Sequence, residues 1–133
     1  MKVTTATARL TPRRLALLVA RARVGLGVGT LALPGAASWA SFGGDGRAAR
    51  AAARLAGGRD VALGLGAVTC LREQTQDAEW VGMGALVDGM DALVLLLTPH
   101  LPVRSRLIGL GAAACAVAGL VAAQRLAEDR EPA

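Results

Sequence analysis

The stretch LIGLGAAACAVAGLVAA, Leu107 to Ala123, contains no charged residue and no polar face. A helix on the surface of a water-soluble domain keeps a polar stripe, whereas a helix that is apolar all round is enclosed by lipid or protein on every side. Read outward from here, the chain shows three more apolar runs. Trp80 to Thr98 is interrupted by Asp88 and Asp91 alone and stops at Pro99, with a second proline at 102. Leu15 to Leu33 carries Arg21 and Arg23 and is closed by Pro34 and Gly35. Between these lies a run that starts after GGDG, Gly43 to Gly46, where Asp45 is placed to cap a helix continuing to Leu71. Its early turns carry Arg47, Arg50 and Arg54 on one basic stripe suited to lipid headgroups.

A membrane-spanning helix needs about 20 apolar residues. The expected fold is therefore all-α, a four-helix antiparallel transmembrane bundle over residues 13–124, with tails at 1–12 and 125–133. The connections REQTQDAE (Arg72 to Glu79) and PHLPVRSR (Pro99 to Arg106) are short and polar, which makes consecutive helices antiparallel neighbours. QRLAEDREPA reads as a fraying, solvated end. Two other readings compete: a soluble bundle of unusually apolar helices, and a secretory leader in which TPRRLALLVA resembles a twin-arginine signal and GAASWA a cleavage site. Arg21 and Arg23 break the apolar stretch after Arg14 too early for such a leader.

Composition agrees with the membrane reading. The 133 residues are 53% hydrophobic but only 2% aromatic, so the apolar mass is alanine, leucine, valine and glycine. The net charge of +5 would suit a nucleic-acid partner. However, the basic residues, arginine except for Lys2, are spread along the chain without aromatic interleaving, which argues against one. The expected partner is the lipid bilayer, with a second copy or another membrane subunit if the bundle associates, and the expected location is the cell membrane, crossed several times. Loop arginines lean weakly toward a cytoplasmic N-terminus: Lys2, Arg9, Arg13, Arg14, Arg72, Arg125 and Arg130 on one side against Arg47, Arg50, Arg54, Arg104 and Arg106 on the other. Trp39 and Trp80 fall where interfacial aromatics sit.

The charges inside the runs carry the most information. Counted along helices, Arg23 lies about 15 Å from one end, Asp60 about 16 Å, and Asp88 and Asp91 about 13 and 18 Å from the same side. Each isolated charge at mid-span costs about 2.5–3.5 kcal/mol, so these groups are expected to neutralise one another. Arg23 and Arg59 are expected to reach Asp88 and Asp91, which share a helix face with Gly84, while Asp60 orients one guanidinium. Arg21 completes the sign balance but lies nearer the interface, where it can snorkel. Close helix approach is assigned to small-residue faces: Gly25 with Gly29, Gly57 with Asp60 and Gly64, and Gly111 with Cys115 and Gly119.

An intramembrane Arg23, Arg59, Asp60, Asp88, Asp91 cluster has two uses. It can fix register and helix choice, or its carboxylates can serve a small proton- or cation-coupled transporter. The first is the leading expectation, a structural or accessory protein rather than an enzyme. His100 stands alone between prolines, Cys70 and Cys115 fall at different depths, and no nucleophile, metal or nucleotide motif accompanies them; GLGVG lacks a βαβ context. No catalytic, metal or cofactor site is expected.

Three segments carry a resemblance: Arg23, Gly25, Leu31 and Pro34; then GGRDVALGLG; then GALVDGMDAL. Together they resemble a group of small four-span membrane proteins of unknown function frequent in actinobacteria, most specifically through GxRDxxLG, and are loosely similar to DoxX-like four-helix membrane proteins. The likeness spans Leu15 to Gln124. It implies an integral membrane bundle with Arg59, Asp60, Asp88 and Asp91 at motif positions and transfers no established activity, although the DoxX-like likeness adds a membrane redox protein as a third reading. Arg21 lies outside the shared pattern.

Overall fold

The computed structural model describes residues 11–129, and among them all regular structure is helical. Five helices follow one another: α1 (Pro12–Ala32), α2 (Pro34–Phe42), α3 (Arg47–Glu73), α4 (Asp77–Leu97) and α5 (Val103–Glu128). Three of them, α1, α4 and α5, are long and apolar enough to cross a membrane. The four apolar runs correspond to the four long helices, and α2 is an addition that the run pattern did not indicate.

Local chemistry explains the boundaries. Thr11 caps α1 by accepting a hydrogen bond from the Arg14 N–H, and Pro12 occupies the first turn, where its missing N–H is harmless. Pro34 pushes Leu33 out of helical geometry and ends α1, then starts α2 at the position a proline favours. Segment GAASWA is thus the body of a short helix. Gly43, at φ 75°, closes α2 in the left-handed region that a side chain resists.

Asp45 does not cap α3 as expected: Gly46 holds the cap position, and no side chain bonds the first turn. Its carboxylate is taken instead by the Arg50 guanidinium, with Ser38 Oγ 3.4 Å away. That hydrogen-bonded partner holds the Asp45 carboxyl below the usual carboxylate range. A lowered native value means that the pair's contribution is present above the ordinary carboxylate range and fades as pH falls through the lowered value. Arg50→Ala should therefore move the Asp45 carboxyl-carbon NMR titration back up, leave stability near neutral pH almost unchanged, and have less effect in high salt. An unmoved titration would contradict the pairing.

The long helices form two antiparallel pairs rather than an even ring. Helix α1 lies on α3, and α4 lies on α5; the consecutive α3 and α4 meet only sparsely despite their short link. Glycine sets the first crossing. A Cβ on Gly27 would sit 2.7 Å from the Gly57 carbonyl oxygen, and one on Gly57 would sit 2.8 Å from that of Gly27. A Cβ on Gly64 would likewise meet the Ala20 carbonyl at 2.9 Å. On the other pair, a Cβ on Gly119 would meet that of Ala85 at 2.8 Å, and Gly109 packs under Leu95 and Leu96.

These contacts correct the expected small faces. Gly25, Gly29 and Gly111 have no atom within 4 Å of an added Cβ, and Cys115 is exposed. The α1 crossing is centred on Gly27, one helix face away from the GxxxG pair; Gly57, Gly64 and Gly119 do lie at crossings.

The C-terminal tail also begins later than expected. Helix α5 runs to Glu128, and Leu126, 3% exposed, packs with Ala16, Ala20, Ala67 and Leu71. Lys2, Arg9 and Arg130 of the orientation count lie outside the described residues. Size is distributed inversely to a soluble core: the buried apolar positions are mostly alanine, while Leu86, Met90, Leu93, Leu107, Leu110, Val117 and Leu120 are exposed. A soluble domain buries its large side chains first.

Candidate charge cluster and adjoining cavity

Helix α4 presents Asp77, Val81, Gly84, Asp88 and Asp91 at alternating steps of four and three, which places them on one stripe. Every carboxylate on that stripe meets an arginine from the other helix pair. At one end Arg13 of α1 bonds Asp77 Oδ2 at 2.7 Å and also donates to the Leu71 carbonyl of α3. Further along, Arg23 of α1 donates to Asp88 Oδ2, to the Gly84 carbonyl at 3.3 Å, and to Asp60 Oδ1 of α3 at 3.1 Å. One turn beyond, Arg59 of α3 forks onto Asp91 with N–O distances of 2.9 and 2.5 Å, and lies 3.7 Å from Asp60.

The expected residues Arg23, Arg59, Asp60, Asp88 and Asp91 are thus brought into one connected network. Gly84 takes part through its backbone carbonyl, and a Cβ there would meet the Arg23 guanidinium at 3.6 Å, an ordinary van der Waals contact. Arg21 does not join. It is exposed on α1 and forms no ion pair among the described residues, because two residues along a helix turns its side chain away from the face that Arg23 occupies. The expected balance of three positive and three negative groups is therefore not what the fold assembles. The cluster holds Arg23 and Arg59 against Asp60, Asp88 and Asp91, one carboxylate more than guanidinium.

Sequence reading missed the Arg13–Asp77 pair, although Asp77 is 0% exposed. Its signal was present: Asp77 precedes Asp88 by three helical turns on the same stripe, but it lies in a polar connection that reads as a loop. Also missed were two ties at the opposite end. The Arg104 guanidinium lies 4.0 Å over the Trp39 ring, joining α5 to α2, and the buried Ser105 donates to the Ser41 carbonyl. Ser105→Ala should lower stability by about 1 kcal/mol, measured by thermal or denaturant unfolding, since it removes the donor from a part-buried carbonyl; an unchanged midpoint would mean the tie contributes nothing. The partly buried Trp80 ring lies over Gly66 and packs on the Leu71 cluster.

A cavity of about 120 Å³ separates the helix pairs beside the ion network. Its walls are Leu15, Val19, Leu63, Ala67, Ala85 and Ala118, and Arg23 and Asp88 supply its charged lining. His100 is exposed, Cys70 and Cys115 are unbonded, and the described residues include no group of His, Cys, Asp and Glu placed to hold a metal. No family model matches the chain, and no curated protein and no solved structure is found similar to it.

Proposed function

We propose that the chain is a four-span protein of the cell membrane with a structural or accessory role, in which arginine–aspartate pairs lock two helix hairpins in register. In this reading α1, α3, α4 and α5 cross the bilayer, and α2 lies at one surface with Trp39 and Arg104. The fourth span, α3, carries Arg59 and Asp60 at mid-depth and enters because partners on α1 and α4 neutralise them. The inverted size distribution supports lipid contact. Between lipid-facing helices no water is released on association, so small-residue packing and polar links hold the bundle, and large side chains lie outside. Likeness to the small four-span group with GxRDxxLG agrees with the same architecture.

The observation that carries the role is that α4 bonds the α1–α3 pair through Asp77, Asp88 and Asp91 where direct packing between the pairs is sparse. A register device of this kind specifies partners more than it adds net stability. The test is charge exchange at Arg59 and Asp91, neither of which lines the cavity. Arg59→Asp and Asp91→Arg should each reduce the detergent-extracted monodisperse protein severalfold, and the double exchange should restore most of it through recovered pairing. A double variant as poor as the worse single one would remove the register role. Retention of the wild-type protein in alkaline carbonate-washed membranes checks the spanning arrangement independently.

A further inference from the structure

The cavity and the charge imbalance meet at Asp88. Asp88 and Arg23 line one part of the cavity, and Trp80 lies eight residues back along α4, about 12 Å away along the helix axis. The wall between them is almost wholly small or aliphatic, because Ala67, Ala85, Ala118 and Gly119 stand where bulkier residues would fill it. One side is formed by α1 and α5, which touch only sparsely, and its lips are the exposed Leu15 and Val19 opposite the exposed Cys115 and Ala118. With the chain in a bilayer, as read above, that mouth opens sideways among acyl chains.

Shape and charge together limit the occupant. At about 120 Å³ the space is smaller than the pockets of roughly 300 Å³ and more that enclose drug-sized molecules, so it holds part of one slender chain, the rest of which lies in the open mouth against the helices. Its charged end does not suit an anion, since the network there already holds three carboxylates against two guanidinium groups. The network that reaches the cavity through Asp88 carries one carboxylate more than guanidinium, and a neutral head leaves that excess unchanged. A positive head supplies the charge that the exposed Arg21 does not.

We propose that this cavity binds a single-chain amphiphilic cation, with its ammonium group at Asp88 and its chain lying along α4 toward Trp80. The proposal rests on the membrane reading, so carbonate resistance is measured first on the same preparation; a protein released by that wash fails the membrane reading and with it the proposal, before any binding is measured. The experiment uses the full chain with Trp39→Phe in phosphatidylcholine nanodiscs, leaving Trp80 as the only tryptophan. Three decyl probes brominated at the chain end, an amine, an alcohol and a carboxylate, are titrated while Trp80 quenching is followed and corrected for lipid partitioning.

The amine should quench saturably at concentrations about tenfold lower than the alcohol, the ratio expected for one charge-assisted hydrogen bond, and the carboxylate should be the weakest. Asp88→Asn should bring the amine down to the alcohol's level. Ala118→Phe, which fills the mouth without touching the ion network, should remove saturable quenching by the amine and so provides a test even if Asp88→Asn does not fold. Equal quenching by all three probes, a preference for the carboxylate, or an amine preference that survives both substitutions would overturn the proposal.

Discussion

Arg23→Met should lower the unfolding free energy by about 2–4 kcal/mol, the range for removing one member of a buried ion pair, moderated because the unfolded chain in lipid also finds polar partners. Methionine keeps most of the length and the apolar stem, so the loss reports the guanidinium. The expected size follows from what Arg23 serves. Within the mid-span cluster it bonds α3 through Asp60 and α4 through Asp88 and Gly84, and its side chain is only 13% exposed. Removing it takes from Asp88 the guanidinium that bonds it and leaves Asp60 only the more distant Arg59, 3.7 Å away. Arg21→Met, two residues away, should change stability by less than about 0.5 kcal/mol, as for an exposed site away from any network. Reversible unfolding in mixed micelles measures both. Equal effects from the two substitutions would dissolve the distinction between the networked and the outward-facing arginine.

Gly57→Val should cost about 2–3 kcal/mol, at the upper end of overpacking effects, because the displaced atoms are backbone. An added Cβ meets the Gly27 carbonyl oxygen at 2.8 Å and the Thr30 Cβ at 3.1 Å, so α1 and α3 must separate. Separation would also draw Asp60 away from Arg23, coupling the crossing to the ion network. Gly25→Ala provides the opposite sign: with no atom within 4 Å of the new Cβ, the helix gains about 0.5–1 kcal/mol from reduced backbone freedom. The pair of measurements asks whether the crossing is centred where the structure puts it or at the GxxxG spacing. Stabilisation by Gly57→Val, or destabilisation by Gly25→Ala, would move it.

Asp88 and Asp91 illustrate what a sequence reveals well. Charges inside apolar runs are conspicuous because their isolation is costly, and helical rise alone brings them to the level of Arg23 and Arg59. The need for mutual neutralisation then follows without knowledge of the packing. Asp77 illustrates the opposite case. In a polar connection an aspartate is unremarkable, and only the docking of Arg13 from a helix distant in sequence makes it a buried group.

The order of apolar runs, the helix ends at Pro34, Gly43 and Pro99, and the identity of the mid-span charged residues were determined by local chemistry and hydropathy, which act within a few turns of chain. Which face each helix turns inward was decided only in the tertiary structure. Two steps along α1 separate Arg23 in the network from Arg21 outside it, and Gly27 at the crossing from Gly25 and Gly29 in the open. A helix with little amphipathic contrast carries no hydrophobic stripe to set its rotation. The choice fell to close backbone approach and to the directional bonds of a few arginines, and those depend on where the neighbouring helices stand.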